Sequence, residues 1–271
     1  MLNRRGFTLV EIMLATTTML IVSGAVYQLL VTAQRLSRTQ AAQLGVQTNV
    51  RGAVLAVLNE LRELSSVEGG SGAQNDLLST TPGAMIYRAM RGTGFTCQPA
   101  TESEVRISRT SFSGHREPQV GRDSVLLYLV AAPETVPAWT PAAITGVSTV
   151  ASCPGVIGSG ITLTVSPTAG LVGTGAGTPV RFYEIMELRL YQSDGQSWLG
   201  TRSISAGESI QPLFGPLTGP EGFRLTYLGA SGLPTNNPTA IKSIEVTARG
   251  TSVGVPSFEL SGQVALRNAW R

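Results

Sequence analysis

The sequence predicts an α+β protein: one long N-terminal helix laid on a mostly antiparallel β-sheet head. Three observations carry that expectation. No proline precedes Pro82, so a single helix can run through the whole N-terminal quarter. Within that span a nearly uncharged stretch passes without a break into one with helical apolar spacing. In the second half, short apolar runs alternate with Gly, Pro and Asn clusters, the pattern of strands joined by turns.

The chain opens with a short basic leader, residues 1–6, carrying Arg4 and Arg5. From Phe7 to Val31 every residue is apolar, small or uncharged except Glu11. At about 1.5 Å per residue this stretch exceeds the roughly 30 Å hydrocarbon core, so residues 7–30 are long enough to span a membrane. The arginines before it place its start on the cytoplasmic side. A carboxylate inside a spanning segment costs a few kcal/mol or more, on the order of 2.5–3.5 by insertion scales. Glu11 therefore either snorkels to the interface or meets a positive charge from another chain.

Residues 31–66 read as the amphipathic half of the same helix. Leu44, Val50, Val54, Val57, Leu58, Leu61 and Leu64 recur mostly at three- and four-residue steps, with Arg38, Gln47, Arg51, Glu60 and Glu63 among them. Gly24, Gly45 and Gly52 are its weak points, each costing about 1 kcal/mol against alanine. The Gly69-Gly70-Ser71-Gly72 run is the expected stop. A helix from Thr8 to Ser66 would be about 88 Å long.

Residues 67–271 form the globular β-rich head. Its first part reads poorly. Residues 84–90 have the composition of a short helix, residues 104–108 alternate like a strand, and residues 124–130 form an apolar central strand. Residues 133–156, rich in Pro, Ala, Thr and Ser, read as a long surface loop around Cys153. Strands are expected at 161–165, 180–191, 197–204, 221–228, 241–248 and 257–266. Asp194-Gly195 marks the strongest hairpin turn.

The stretch Arg4-Arg5-Gly6-Phe7-Thr8-Leu9-Val10-Glu11-Ile12-Met13-Leu14-Ala15 resembles the processing site of type IV pilins and type II secretion pseudopilins. The resemblance implies a pilin-like fold and cleavage after Gly6 by a prepilin peptidase. It also implies N-methylation of the new terminus at Phe7. Glu11 matches the family acid that pairs with the amino terminus of a neighbouring subunit. The implied partners are other major and minor pilins or pseudopilins, the inner-membrane assembly platform, and membrane lipid before assembly. More loosely, the hairpin around Tyr191 and Trp198, Phe223-Arg224-Leu225-Thr226-Tyr227, the strand at Ile241 and Val264-Ala265-Leu266-Arg267-Asn268 resemble J-type minor pseudopilins and W-type minor pilins. Glu11 sets the chain apart from the K-type tip subunit, and Gln28 stands where many major pilins carry proline. The resemblance thus implies a non-enzymatic minor subunit, held in the bacterial inner membrane and then built into a filament. Residues 67–179 contribute nothing to it.

Two other targeting readings stay open. Arg4-Arg5-Gly6-Phe7 also looks like a twin-arginine signal, with Ser23-Gly24-Ala25 or Val31-Thr32-Ala33 as a small-residue cleavage site. Glu11 inside the apolar core argues against both. The corresponding alternative function is an exported, membrane-anchored ligand-binding module or hydrolase.

Charge and chemistry narrow the classes further. The chain carries 20 Lys and Arg against 17 Asp and Glu, and loss of Arg4 and Arg5 leaves an excess of one. A nearly neutral mature chain has no bulk field for nucleic acid. The two cysteines, Cys97 and Cys153, both lie in the part expected outside the cytoplasm. A bridge would close a loop of about 57 residues and contribute roughly 4 kcal/mol through chain entropy; the alternative is two unrelated buried thiols. The single histidine, His115, sits in a polar turn-like stretch, and no G-x-S-x-G elbow accompanies it. Gly173-Thr174-Gly175-Ala176-Gly177 lacks the lysine and the following helix of a phosphate loop. Asp76, Asp123 and Asp194 lack EF-hand spacing. No catalytic residue, metal ligand or cofactor is assigned.

Overall fold

The computed structural model describes residues 8–66, 75–129, 138–150, 152–154, 158–167, 171 and 174–267. The architecture is α+β. Among the described residues, one α-helix, α1 (Leu9–Leu61), is followed by thirteen strands and a single 3-10 turn (Pro238–Ala240), and every named strand pair is antiparallel.

Helix α1 runs for 53 residues, about 80 Å. Among the described residues, none before Val46 is buried. From there Val46, Val50, Ala53, Val54, Val57 and Leu61 turn inward at helical spacing. Leu58 joins them partly buried, Leu64 just past the helix is fully buried, and Leu44 points away, 63% exposed.

The helix ends sooner than the sequence suggests. Arg62 caps it, and the glycine run at 69–72 lies outside the described residues. Tertiary hydrogen bonds take the next residues instead. Ser65 N–H donates to Asp76 Oδ2 at 2.7 Å, Asp76 N–H to the Ser65 carbonyl, and Arg267 N–H to the Leu64 carbonyl. Backbone already paired with the sheet exit has no groups left for another helical turn.

The strands are β1 (Leu77–Thr81), β2 (Ala84–Phe95), β3 (Glu104–Ser108), β4 (Ser113–Gly114), β5 (Ser124–Leu129), β6 (Ala138–Val150) and β7 (Gly160–Ser166). They continue with β8 (Pro179–Ser193), β9 (Gln196–Ser203), β10 (Gln211–Leu217), β11 (Phe223–Leu228), β12 (Ser243–Ser252) and β13 (Val255–Ala265). The larger, ten-stranded sheet has the order β1-β2-β8-β5-β6-β7-β3; β9 also pairs with β8, β10 with β9, and β4 with β2. The smaller sheet is β11-β12-β13, which lies on α1 together with β10.

The hairpin at Asp194-Gly195 is present, with both residues at positive φ (51° and 72°) as a type I′ turn requires. Two expectations are overturned. Residues 84–90 are not a helix but the start of β2, because they pair with β1 on one side and β8 on the other. Most of the supposed loop at 133–156 is strand β6, held between β5 and β7. Strands β1, β4 and β10 are additional to those expected from the sequence.

Apolar side chains gather in two cores. The first packs α1 against the small sheet and parts of β2, β8 and β9. Its closeness depends on Gly250, where a Cβ would come within 2.9 Å of Val50 Cγ2. The second core fills the space under β3, β5, β6 and β7 and contains no helix residue. Strand β8 serves both: Val180 and Phe182 belong to the second, Met186 and Leu188 to the first. The bridge between Cys97 and Cys153, with Cα atoms 5.7 Å apart, ties the end of β2 to the segment after β6, as the sequence leads one to expect.

Candidate functional site: an unpaired apolar helix, a buried ion network and an arginine cleft

The apolar half of α1 stands clear of the head. Leu9, Val10, Leu14, Met19, Leu20, Ile21 and Leu29 are each at least two-thirds exposed. This helix is long and apolar enough to cross a membrane. Its threonine run is satisfied within the helix itself: the hydroxyls of Thr16, Thr17 and Thr18 donate to carbonyls three and four residues back.

Arg4, Arg5, Gly6 and Phe7, the expected leader charges and cleavage and methylation site, lie outside the described residues. Glu11 is described, and it closes the start of α1. Thr8 is the N-cap, and its hydroxyl accepts from Glu11 N–H at 3.3 Å. The Glu11 carboxylate in turn accepts from Thr8 N–H at 2.9 Å and from the Thr8 hydroxyl at 3.0 Å. This is a capping box, whose signature Thr-x-x-Glu was visible in the sequence. Glu11 is thus held at the very start of the helix, with its charge beside the positive end of the helix dipole.

Glu184 is one of three buried acids among the described residues of the head, with Asp76 and Asp123. On β8 it takes its place in the inward row Val180, Phe182, Glu184, Met186, Leu188, at the point where one core gives way to the other. Three arginines converge on it. Arg91 Nε donates to Glu184 Oε2 at 3.0 Å. Arg122 Nε lies 2.7 Å from Oε1, off the line of a hydrogen bond, and Arg116 Nη2 lies 3.7 Å from Oε2. Each has a second acid: Arg91 has Glu60 on α1 at 3.3 Å, Arg122 has Glu208 at 2.9 Å, and Arg116 has Asp123. A register shift between Met90 and Gly92 re-aims Arg91 towards this point. Burial pushes the Glu184 carboxyl up, but the Ser203 hydroxyl, Arg91 and Arg122 together outweigh it and hold the group below its ordinary value. The network links α1, β2, β8 and two loops; it is a structural clamp between the cores.

Beside it, an open cleft of about 460 Å³ lies near the end of α1. Arg91, Arg181, Arg267, His115, Thr93 and Ser113 are among its lining. His115 is exposed on this rim, and its backbone N–H donates to the Arg91 carbonyl. Nearby Asp76 is buried, which pushes its carboxyl up to about 6; the Ser65 N–H and the charges of Arg88 and Arg181 oppose that rise. Among the described residues, no three His, Cys, Asp or Glu side chains are grouped to hold a metal ion. The Glu184 cluster was missed because β8 reads simply as a strand. Its one signal was an acid in step with four apolar residues at period two. No family model matches the chain, and no curated protein or solved structure is significantly similar to it.

Proposed function

We propose that this chain is a minor pilin or pseudopilin, a structural subunit that assembles into a type IV pilus or type II secretion filament. The observation that carries the proposal is the continuity of α1. One helix packs its last third, from Val46 onward, under a β-sheet head and leaves the rest uncovered, including the apolar stretch at its start. Such a rod is stored in the inner membrane and moves sideways into a filament, where it packs against its counterparts. The leader motif at Arg4, Arg5, Gly6 and Phe7 supports the same reading through its resemblance to prepilin processing sites. Glu11 then pairs with the Phe7 amine of a neighbour and sets the axial register. The head lies outside the cytoplasm, where the Cys97–Cys153 bridge is stable.

The processing step has a direct test. Intact mass spectrometry of the membrane or filament fraction should find a mature chain beginning at N-methylated Phe7. A bulkier residue at Gly6 should leave the leader in place. A terminus near Ala25 or Ala33 would overturn the proposal in favour of an exported soluble protein.

A second reading draws on the arginine-lined cleft. In it the chain is an exported, anchored ligand-binding module that only borrows a pilin-like helix. That reading predicts that the chain is found alone, without cross-links between apolar segments.

A further inference from the structure

We propose that the cleft lined by Arg181, Arg267, His115, Thr93 and Ser113 binds a soluble phosphate-class oxyanion. The argument starts from unmatched charge. Arg91 is offset by Glu60 and Glu184, and Arg267 is partly offset by Glu63 at 3.8 Å. Arg181 has no carboxylate within ion-pair distance among the described residues; its guanidinium lies over the Trp139 ring, 4.7 Å from the centroid. Burial, and the like charge of Arg267, destabilise its charged form, while Asp76 opposes them. An arginine in that position gains most from an anion that is not already in the protein.

The donors are also ordered. Arg181 on β8 stands directly opposite Thr93 on β2, and Thr93 directly opposite Ser113 on β4. Directly opposed residues on antiparallel strands share a face, so one guanidinium and two hydroxyls form a row across three strands. Arg267 and His115 complete the rim. A tetrahedral dianion, with several acceptor oxygens, suits two incompletely offset guanidiniums and neutral donors arranged around a cleft of this size.

Position selects the source of the anion. With residues 7–30 in a bilayer, the end of α1 at Leu61, two residues before the cleft's Glu63, lies roughly 46 Å further along at about 1.5 Å per residue. That is several Debye lengths, about 8 Å each at physiological salt, from the headgroups of that membrane. The ligand is therefore a soluble phosphate or phosphate monoester rather than a lipid of the same bilayer. This inference does not require the filament reading.

The test is equilibrium dialysis of radiolabelled inorganic phosphate against the full chain in maltoside micelles, at pH 7.5 and low salt. Saturable one-to-one binding is expected. Arg181→Gln should weaken it at least tenfold, and Arg38→Gln, on the exposed helix, should leave it unchanged. If Arg181→Gln loses its cooperative melt, Arg267→Gln carries the comparison, because its side chain is half exposed and its ion pair lies at the surface. Absence of saturable uptake by the wild type would overturn the proposal, as would equal uptake by the Arg181→Gln/Arg267→Gln double variant. A second arm uses vesicles containing phosphatidic acid. Capture of these vesicles without binding of the free ion would overturn the assignment to a soluble anion.

Discussion

Replacing Glu184 by glutamine should loosen the joint between the two cores. The side chain keeps its size but loses its charge, and three guanidiniums lose a shared partner. Breaking a buried ion pair by removing one partner typically costs about 3–5 kcal/mol. Here each arginine retains a second acid, Glu60, Glu208 or Asp123, so the cost belongs at the low end, about 3 kcal/mol. For a head of about 200 residues, with roughly 2–4 °C per kcal/mol, the thermal midpoint should fall by about 6–12 °C. Glu208→Gln is the control. That side chain is 37% exposed and touches only Arg122 among the arginines, so its loss should cost under about 1 kcal/mol. Differential scanning calorimetry of both variants in the same detergent decides the matter. A Glu184→Gln midpoint within about 2 °C of the wild type would refute the clamp.

Two further outcomes follow from single residues. Asp76 has a folded-state pKa of about 6, above its ordinary 3.8, so the folded chain takes up a proton that the unfolded chain releases. Stability from this group is fully present below pH 3.8 and is lost as pH rises through 6, a gain of about 1–2 kcal/mol on going from pH 7 to pH 5. Glu184 acts in the opposite sense, its contribution fading only as pH falls below its ordinary 4.5. Melting midpoints should therefore peak near pH 5, and Asp76→Asn should flatten the rise between pH 7 and 5; an unchanged profile would refute the assignment. Gly45→Ala, with nothing within 4 Å of the new Cβ, should stabilise the helix by about 1 kcal/mol. Gly250→Ala, pressed against the stiff side chains of Val50 and Val46, should destabilise by about 1–3 kcal/mol; equal effects in urea melts would contradict the packing described.

Much of the fold was legible because its signals are local. Asp194-Gly195 announced a hairpin, the long proline-free start announced α1, and the apolar run at 124–130 announced the central strand β5. The errors fall where distant partners decide. Residues 84–90 are rich in Ala, Met and Arg, which favour helix, yet eleven residues of β2 are held in register by β8. Strand β6 was hidden by Pro141 and Gly146. Pro141 is tolerated because β7 begins to pair only at Ala143, so its missing N–H breaks no bond on that side. Gly146 falls at a register shift in the β6–β7 pairing. Gly52, expected to be a weak point like Gly24 and Gly45, is a contact: a Cβ there would lie 2.6 Å from the Phe214 ring. At the candidate sites, Glu11 was conspicuous as the lone acid of an apolar run. Arg181 and Arg267 meet at one cleft only through the sheet pairing and the chain's return to the end of α1.

The central claim is that Glu11 serves a neighbouring chain, and the capping box makes a sharp test of it available. Glutamine at this position preserves the cap, since Gln at N3 can accept from Thr8 N–H as Glu11 does. Leucine removes the charge and the reciprocal half of the box, the bonds to the carboxylate, while the Thr8 hydroxyl still accepts from the backbone N–H of residue 11. If Glu11 only closes the helix, Glu11→Gln should behave as wild type and Glu11→Leu alone should suffer. If it pairs with the amine of a neighbour, both variants should be processed and inserted normally, yet both should fail to join other subunits. The measurement is cross-linking between apolar segments in the native membrane, scored for wild type, Glu11→Gln and Glu11→Leu. The account predicts loss of the cross-link in both variants; a wild-type cross-link in Glu11→Gln would contradict it.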